Sequence, residues 1–213
     1  MQTKERKRLF SWRLLPMDAS RVLCAPLPLY FRVKRITPEG KPYKKKIRGG
    51  AVLAANHTSF LDPVVVGVTA WYRRVHFLAA EVVMKGKLRS LLLKGVGAIR
   101  IDRNKADIEA IRKAAGVLKQ GRVLVIFPQG GISPDAQIQS LKSGAVFIAL
   151  QAGVPIVPMY ICPQKRWYQR RVVVIGETIE PQKHILKKFP STEDIENISK
   201  MLMDEMNRCM ACR

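Results

Sequence analysis

The sequence predicts a single-domain α/β fold: a mixed, mainly parallel sheet flanked by helices, with a basic amphipathic segment at the N-terminus. Short apolar runs alternate with segments of helical spacing along the chain, which is typical of strands joined by helices. The run 123–127 is apolar and largely β-branched, the pattern of a central strand buried on both faces. The run 51–55, which follows two glycines, predicts a second short buried strand.

The remaining elements are expected in the same alternation. Further strands are predicted at 75–80, 98–101, 154–161 and 171–175. Helices are predicted from about 62 to 72, 84 to 94, 105 to 120 and 140 to 151, and again after Pro190. Asn104 is the expected N-cap of the third helix, Lys142 is expected in the first turn of the fourth, and Ser191 is expected to cap the last.

The charge of the chain is strongly positive. Its 213 residues carry 38 Lys and Arg against 16 Asp and Glu, a formal net charge of +22. Such an excess favours an anionic partner, which could be lipid headgroups, an acidic substrate or nucleic acid, and the charge alone does not select one. An apolar content of 47% excludes a disordered chain.

The first 33 residues form a candidate membrane segment, and residues 34–213 form the predicted catalytic domain. Lys and Arg are interleaved with Phe10 and Trp12, and a second apolar patch follows from Val22 to Phe31. The patch is interrupted by prolines and is shorter than the roughly 20 apolar residues of a spanning helix. We expect an interfacial segment and no spanning helix; the alternative is a helix that packs on the domain with a solvated basic face.

A histidine and an aspartate flank the turn after the 51–55 strand. His57 and Asp62 are separated by four residues, and Pro63 suits the first turn of a helix. A carboxylate on one imidazole nitrogen fixes the tautomer and leaves the other nitrogen to accept a proton. The alternative is that Asp62 caps the helix and His57 is an interior histidine with its hydrogen bonds satisfied.

Four ordered blocks of this sequence resemble the glycerolipid acyltransferases, the family of the lysophosphatidic acid (1-acylglycerol-3-phosphate) acyltransferases. The first is Asn56-His57 through Asp62, and the second runs from Gly97 to Arg103. The third is Phe127-Pro128-Gln129-Gly130-Gly131-Ile132-Ser133, and the fourth is Val154 through Pro158. The resemblance implies an O-acyltransferase of phospholipid biosynthesis that needs no cofactor and no metal, with acyl-CoA or acyl carrier protein as co-substrate.

The resemblance also implies the roles of individual residues. His57 is the general base, Asp62 orients it, and Ser59 is not acylated. Arg103 matches the arginine that contacts the acceptor phosphate; its alternative is a surface ion pair with Asp102 or Asp107. Backbone N–H groups around Gly130 and Gly131 are candidates to donate to the oxyanion or to the acceptor.

The third block departs from the family pattern Phe-Pro-Glu-Gly-Thr-Arg. Gln129 replaces the glutamate and Ile132 replaces the arginine. Gln129 keeps the capacity to hydrogen-bond an acceptor hydroxyl, and Lys142 is the candidate to supply the missing positive charge. An altered or non-catalytic member that binds lipid or uses another acceptor is therefore the alternative function.

The expected partners are an anionic membrane surface, a lysophospholipid acceptor and the thioester donor, at the cytoplasmic face of a membrane. A nucleic-acid-binding protein is a remote alternative that rests on charge alone, because no nucleic-acid-binding motif is present. Cys209 and Cys212 have redox or metal spacing but no second pair, so no metal site is expected there.

Overall fold

The computed structural model describes residues 30–84, 86–102, 107–133, 138, 140–164, 170–185 and 190–212. Its strands are β1 (Lys34–Ile36), β2 (Ala51–Ala55), β3 (Val75–Ala80), β4 (Ala98–Ile101), β5 (Val123–Ile126), β6 (Ile156–Ile161) and β7 (Val172–Ile175). Its α-helices are α1 (Asp62–Thr69), α2 (Lys87–Gly95), α3 (Ile108–Lys119), α4 (Gly144–Ala152) and α5 (Thr192–Ala211). Two short 3₁₀ helices span Glu81–Met84 and Pro181–His184. The predicted alternation of strands and helices is confirmed.

One mixed sheet contains all of these strands, in the order β1-β7-β6-β2-β5-β3-β4. The β6–β7 pair is antiparallel, and every other neighbouring pair is parallel. β1 and β7 therefore run opposite to the other five strands, and the predicted mixed, mainly parallel sheet is confirmed. β2 lies between β5 and β6, so the loop after β2 opens at the carboxyl edge of the three central strands, where open α/β sheets bind their ligands.

Both faces of the central strands are buried. Ala51, Leu53 and Ala55 of β2 pack with α1 on one face, and Val52 and Ala54 pack with α3, α4 and α5 on the other. This two-sided burial explains why β2 and β5 are apolar at every position instead of alternating. Each fully buried Val, Leu or Ile side chain contributes about 1.5–3 kcal/mol, so these strands hold the carboxyl edge in place.

Two predicted details of the helices are wrong. The N-cap of α3 is Asp107 and not the predicted Asn104, which lies outside the described residues: α3 begins at Ile108, and the Asp107 side chain accepts from the N–H of Ala110 at 2.9 Å. Asn and Asp cap helices equally well, so the sequence did not distinguish the two positions. Lys142 is not in a helical turn, because α4 begins at Gly144. Its N–H donates to the carbonyl of Pro128 at 2.8 Å, which holds Lys142 in the preceding loop.

The C-terminal helix begins as predicted. Ser191 Oγ accepts from the N–H of Asp194 at 3.1 Å, and Asp194 Oδ2 accepts from the N–H of Ser191 at 2.8 Å. The sequence did not predict β1, a three-residue edge strand that pairs with β7. Residues 1–29 of the N-terminal segment lie outside the described residues. Within the described part of the chain, no helix is both long enough and apolar enough to cross a membrane.

Candidate active site

The loop after β2 is fixed to β6 by a buried asparagine. The Asn56 side chain accepts from the N–H of Ile161 at 2.6 Å and donates to the Ile161 carbonyl at 3.1 Å. It therefore makes the two hydrogen bonds that another strand residue would make through its backbone. Because Asn56 is fully buried, the position of the following residue, His57, is determined by the sheet.

Asp62 is the centre of the loop's hydrogen bonds. One of its carboxylate oxygens, Oδ2, accepts from the N–H groups of Thr58 and Ser59 at 2.5 and 2.7 Å and lies 3.1 Å from His57 Nδ1. Asp62 is the first residue of α1 and is fully buried. Its bonds go back to the loop and not forward into the helix, so the alternative in which Asp62 is only a helix cap does not describe this geometry.

The hydrogen bond to Asp62 determines the tautomer of His57. An ionised carboxylate can only accept, so the hydrogen of the neutral imidazole lies on Nδ1 and the lone pair lies on Nε2. The His57 side chain keeps 14% of its surface exposed. A histidine with this tautomer and this access is equipped to take a proton from a hydroxyl group.

The turn that follows β5 holds His57 at three points. The Phe127 ring stacks on the imidazole with a centroid distance of 4.2 Å and an interplanar angle of 22°. The N–H of His57 donates to Gln129 Oε1 at 2.9 Å, and the carbonyl of His57 accepts from the N–H of Ser133 at 2.7 Å. The first and third sequence blocks therefore form one structural unit around the imidazole.

The glycines of this turn have different surroundings. Gly130 has a φ of +79°, and its N–H donates to the carbonyl of Phe127 at 3.1 Å. A Cβ at Gly130 would lie 2.9 Å from Lys142 Cε, so the turn requires glycine there for its backbone and for the lysine that covers it. Gly131 is exposed and lines the cavity beside His57.

A cavity of about 470 Å³ begins at His57 and continues between α1 and β3. Its lining is mainly apolar and includes Pro63, Val64, Val68, Val75, Phe77 and Phe127. Trp71 and Arg73 line it as well, and the Arg73 guanidinium donates to the carbonyls of Ile47, Gly49 and Gly121. The cavity can accommodate a long apolar group whose reactive end lies at the imidazole.

A family model for acyltransferases matches residues 35–162, which include every part of the site described above. The chain belongs to the Acyltransferase family. The match covers more than half of the chain and ends just after β6, so the family assignment does not depend on β7 or α5.

Individual relatives are similar over shorter segments. The 1-acyl-sn-glycerol-3-phosphate acyltransferase of Bacillus subtilis is 30% identical over 109 residues, which are 51% of this chain and 54% of that protein. The lyso-ornithine lipid O-acyltransferase of Pseudomonas aeruginosa is 30% identical over 160 residues, 75% of this chain and 55% of that protein. The chain thus spans about half the length of the curated relatives it matches.

A solved acyltransferase has the same fold. The crystal structure of the 1-acyl-sn-glycerophosphate acyltransferase PlsC from Thermotoga maritima aligns with a TM-score of 0.56, covering 95% of this chain and 86% of that one. The sequence identity is 21%, so this likeness concerns the fold alone. It agrees with the predicted α/β architecture.

The structure brings most of the predicted site residues together. His57, Gln129, Gly130, Gly131 and Lys142 lie in the loops after β2 and β5, and Asp62 is the first residue of α1, directly after the first of these loops. Arg103, the candidate phosphate ligand, lies outside the described residues. The roles of Asn56, Phe127 and Ser133 were not predicted, although all three belong to the quoted blocks. The signal was present, because a polar or aromatic residue directly after a buried strand lies at the edge where loops meet.

The cysteines near the C-terminus lie at the end of α5 and not in the loops that hold His57. Cys209 is fully buried, and burial raises the pKa of its thiol to about 12. Cys212 Sγ lies 3.7 Å from the carbonyl of Thr37, at the end of β1. Among the described residues, no group of three His, Cys, Asp or Glu side chains is placed to hold a metal ion.

Proposed function

We propose that the protein transfers a fatty acyl group from a thioester to the free hydroxyl of a lysophospholipid-type acceptor, with His57 as the general base. The observation that carries this proposal is the His57–Asp62 pair at the mouth of an apolar cavity. The cavity offers a place for an acyl chain, and the imidazole lies where the reactive carbonyl at its end would be. The family supports acyl transfer as the reaction class.

The chemistry needs no nucleophilic side chain of the protein. The acceptor hydroxyl attacks the thioester carbonyl carbon as its proton passes to Nε2 of His57, and the imidazolium is stabilised by Asp62. The tetrahedral oxyanion then collapses, the carbon–sulfur bond breaks, and the proton on His57 passes to the leaving sulfur. Ser59 remains unmodified, because the acceptor hydroxyl is the nucleophile; the Ser59 N–H donates to Asp62 and its Oγ accepts from the N–H of Leu61.

We assign the stabilisation of the oxyanion and the acceptor to the turn after β5. The N–H of Gly131 is our candidate donor to the oxyanion, because Gly131 lines the cavity beside His57 while the N–H of Gly130 bonds within the turn. Lys142, packed over Gly130, and Arg103 are our candidates for an anionic group of the acceptor. The side-chain amide of Gln129, whose oxygen accepts from the backbone N–H of His57, is our candidate to contact the acceptor hydroxyl.

The acceptor has two candidate classes. One is a lysophosphatidic acid, named in the Bacillus subtilis relative, and the other is a lyso-ornithine lipid, named in the Pseudomonas aeruginosa relative. Ile132 supports the lyso-ornithine lipid as a candidate acceptor, because its exposed apolar side chain lines the cavity at the position where the family pattern has an arginine. Acyl-CoA and acyl carrier protein remain the two candidate donors.

A thiol-release assay tests the proposal. The full chain is incubated with long-chain acyl-CoA or acyl carrier protein thioester, together with lysophosphatidic acid or lyso-ornithine lipid in detergent. We expect thiol release that depends on one of the acceptors and is absent from His57→Ala. Thiol release that does not depend on either acceptor, or that persists in His57→Ala, contradicts the proposal.

The double variant Gln129→Glu with Ile132→Arg distinguishes lysophosphatidic acid from a lyso-ornithine lipid as the acceptor. It restores the family pattern at two positions of the third block. If the wild type uses lysophosphatidic acid, the variant should use it at least as well. If the wild type uses a lyso-ornithine lipid, the variant should lose activity on that acceptor.

A further inference from the structure

The ring of Phe127 meets the ring of His57 because of the way two central strands pair. β2 and β5 are parallel, and Leu53 lies opposite Val125. Leu53 and Ala55 of β2 and Val125 of β5 all belong to the core on the α1 face of the sheet. Because side chains alternate between the two faces of a strand, His57 and Phe127 continue these two rows on the same face, beyond the ends of the strands.

The Phe127 ring is held in place by its own chain. The carbonyl of Phe127 accepts from the N–H of Gly130 at 3.1 Å. The residue before a proline is restricted to extended backbone, so Pro128 prolongs the direction of β5 through Phe127. The side chain is partly buried and packs against the core on the α1 face. The face of the phenyl ring is therefore directed at the imidazole before any substrate binds.

The two rings are stacked face to face. Their centroids are 4.2 Å apart, and their planes differ by 22°. The face of a phenyl ring carries negative partial charge, and it attracts a cation that lies within about 6 Å of the ring centroid. A neutral imidazole gains little from this charge, whereas an imidazolium is attracted by it. The contact therefore distinguishes the two protonation states of His57.

The charged groups around His57 act in different directions. Asp62, at the start of α1, lies 3.1 Å from Nδ1 and stabilises the imidazolium. Lys142, in the loop before α4, covers the turn that follows β5, and its positive charge disfavours the imidazolium. Among the described residues of the cavity lining, the other charged side chain is Arg73, which is bound to carbonyls at the amino ends of β2 and β5. A phenyl face adds attraction for the imidazolium without placing a second carboxylate beside the candidate site for the acceptor's anionic group.

We propose that Phe127 is a positioning residue whose π face stabilises the imidazolium of His57 as it forms. The inference rests on the proposed function, in which the proton of the acceptor hydroxyl passes to Nε2 of His57. An interaction that is stronger in the transition state than in the ground state raises kcat, and the charge on His57 develops in this step. Phe127 acts on the reaction through His57, because it both orients the imidazole and favours its protonated form.

The competing possibility is that Phe127 only shapes the cavity. Its side chain is part of the cavity lining, as is that of Phe77 in β3. The Phe77 ring is placed beside α1, where its Cζ lies 3.7 Å from the position that a Cβ would take at Gly67. A residue that only forms the wall contacts the acyl chain, so its loss raises the donor KM and leaves the protonation of His57 unchanged. Phe77 therefore provides the matched comparison, with the same side chain in the same cavity.

An NMR titration of the histidine side chains in the full chain tests the proposal without substrate. The chain has three histidines, and the spectrum of His57→Ala identifies the signal of His57. Phe127→Leu should lower the midpoint of the His57 titration by about half a pH unit, because the imidazolium loses the attraction of the ring while the apolar contact is kept. Phe127→Tyr, which keeps an aromatic face, and Phe77→Leu should leave this midpoint close to that of the wild type.

Fluorination of the ring tests the same attraction with almost no change in shape. Fluoro-, difluoro- and trifluorophenylalanine in place of Phe127 withdraw charge from the ring face in steps, and the midpoint should fall in the same order. This series also replaces Phe127→Leu if that variant melts well below the wild type. A midpoint that is the same with phenylalanine and trifluorophenylalanine at this position would overturn the proposal, and so would an equal shift in Phe77→Leu.

Kinetics in the thioester assay connect the titration to the reaction. Phe127→Leu should lower kcat by about two- to fivefold, and the acidic limb of its pH profile of kcat/KM should move to lower pH together with the midpoint. Phe77→Leu should raise the donor KM and leave the acidic limb in place. An unchanged midpoint with normal acyl transfer would overturn this inference and leave the proposed function intact. A shifted midpoint in a chain that transfers no acyl group would support the ring contact and overturn the proposed function.

Discussion

His57 follows a strand of the sheet and His76 lies within one, and the Nδ1 of each ring lies within hydrogen-bonding distance of an oxygen atom, yet the surroundings of the two rings differ. His57 follows β2, faces a carboxylate and keeps part of its ring accessible at a cavity. His76 lies within β3, faces the carbonyl of Gly97 at 3.1 Å and is 7% exposed. A base needs a charged partner and an open second nitrogen, and only His57 has both among these two.

Burial acts directly on the protonation of His76. Loss of hydration, with a further contribution from the charge of Arg122, lowers its pKa from 6.5 to about 4. Its Nε2 is buried and has no hydrogen-bond partner among the described residues. His76 is therefore a neutral structural residue near neutral pH, and it serves as an internal reference for the role of His57.

The largest expected effect is that of His57→Ala. In the proposed mechanism His57 acts as the base in the chemical step, so we expect kcat to fall by about 10²- to 10⁴-fold while the fold is nearly unchanged. His76→Gln is the matched control, because its side-chain amide can donate to the Gly97 carbonyl; it should retain the kcat of the wild type. Steady-state rates and melting curves of the two variants test whether the loss of activity is specific to His57. Equal activity of His57→Ala and wild type would remove His57 from the mechanism.

The next effect is that of Asp62→Asn. The amide oxygen can replace Oδ2 and keep the bonds to Thr58, Ser59 and His57. The imidazolium then loses its compensating negative charge. The amide nitrogen would also occupy the buried position of Oδ1, which has no hydrogen-bond partner among the described residues. If the amide turns, it imposes the wrong tautomer on His57. Either way kcat should fall strongly, though less than in His57→Ala.

Asp204→Asn is the control for the aspartate substitution. Asp204 is exposed on α5, outside the loops that hold His57, so activity and stability should be close to those of the wild type. Comparing kcat of the two asparagine variants separates loss of the charge beside His57 from a general effect of replacing an aspartate. A wild-type kcat in Asp62→Asn would show that the charge is dispensable.

The order of the elements and the pairing of His57 with Asp62 could be predicted from the sequence, because both depend on local patterns. Strands buried on two faces are apolar throughout, and a histidine and an aspartate flanking a turn suggest a base and its orienter. The bonds from Gln129 and Ser133 to His57 could not be predicted, since they join residues more than 70 positions apart through the pairing of β2 with β5. β1 was missed because three residues carry too little pattern.

A smaller effect is expected from Gln129→Ala. Loss of the oxygen that accepts from the backbone N–H of His57 removes one of the three contacts between the turn after β5 and His57, and one such hydrogen bond is worth about 0.5–1.5 kcal/mol. We therefore expect kcat/KM for the acceptor to fall by up to about tenfold, with little change in the donor KM. Gln129→Glu is the matched control, because a carboxylate oxygen can accept the same hydrogen bond.

The kinetic parameters distinguish the two roles of Gln129. If the side chain mainly holds His57, Gln129→Ala lowers kcat; if it mainly positions the acceptor through its amide nitrogen, the acceptor KM rises. Varying acceptor and donor separately measures both. An acceptor dependence and a kcat that are both unchanged would remove Gln129 from the site altogether.

The smallest effect concerns His76 and appears in stability. Because the pKa of His76 is lowered in the folded protein, the unfolded chain takes up a proton between pH 6.5 and about 4 while the folded protein does not. The free energy of unfolding should therefore fall as the pH is lowered through this window, approaching about 1.4 kcal/mol per pH unit from this group. His76→Gln cannot titrate, so it should lack this contribution. Denaturant unfolding of both proteins at pH 7, 6, 5 and 4.5 gives the difference directly, and parallel pH dependences would show that His76 titrates in the folded state as it does in the unfolded one.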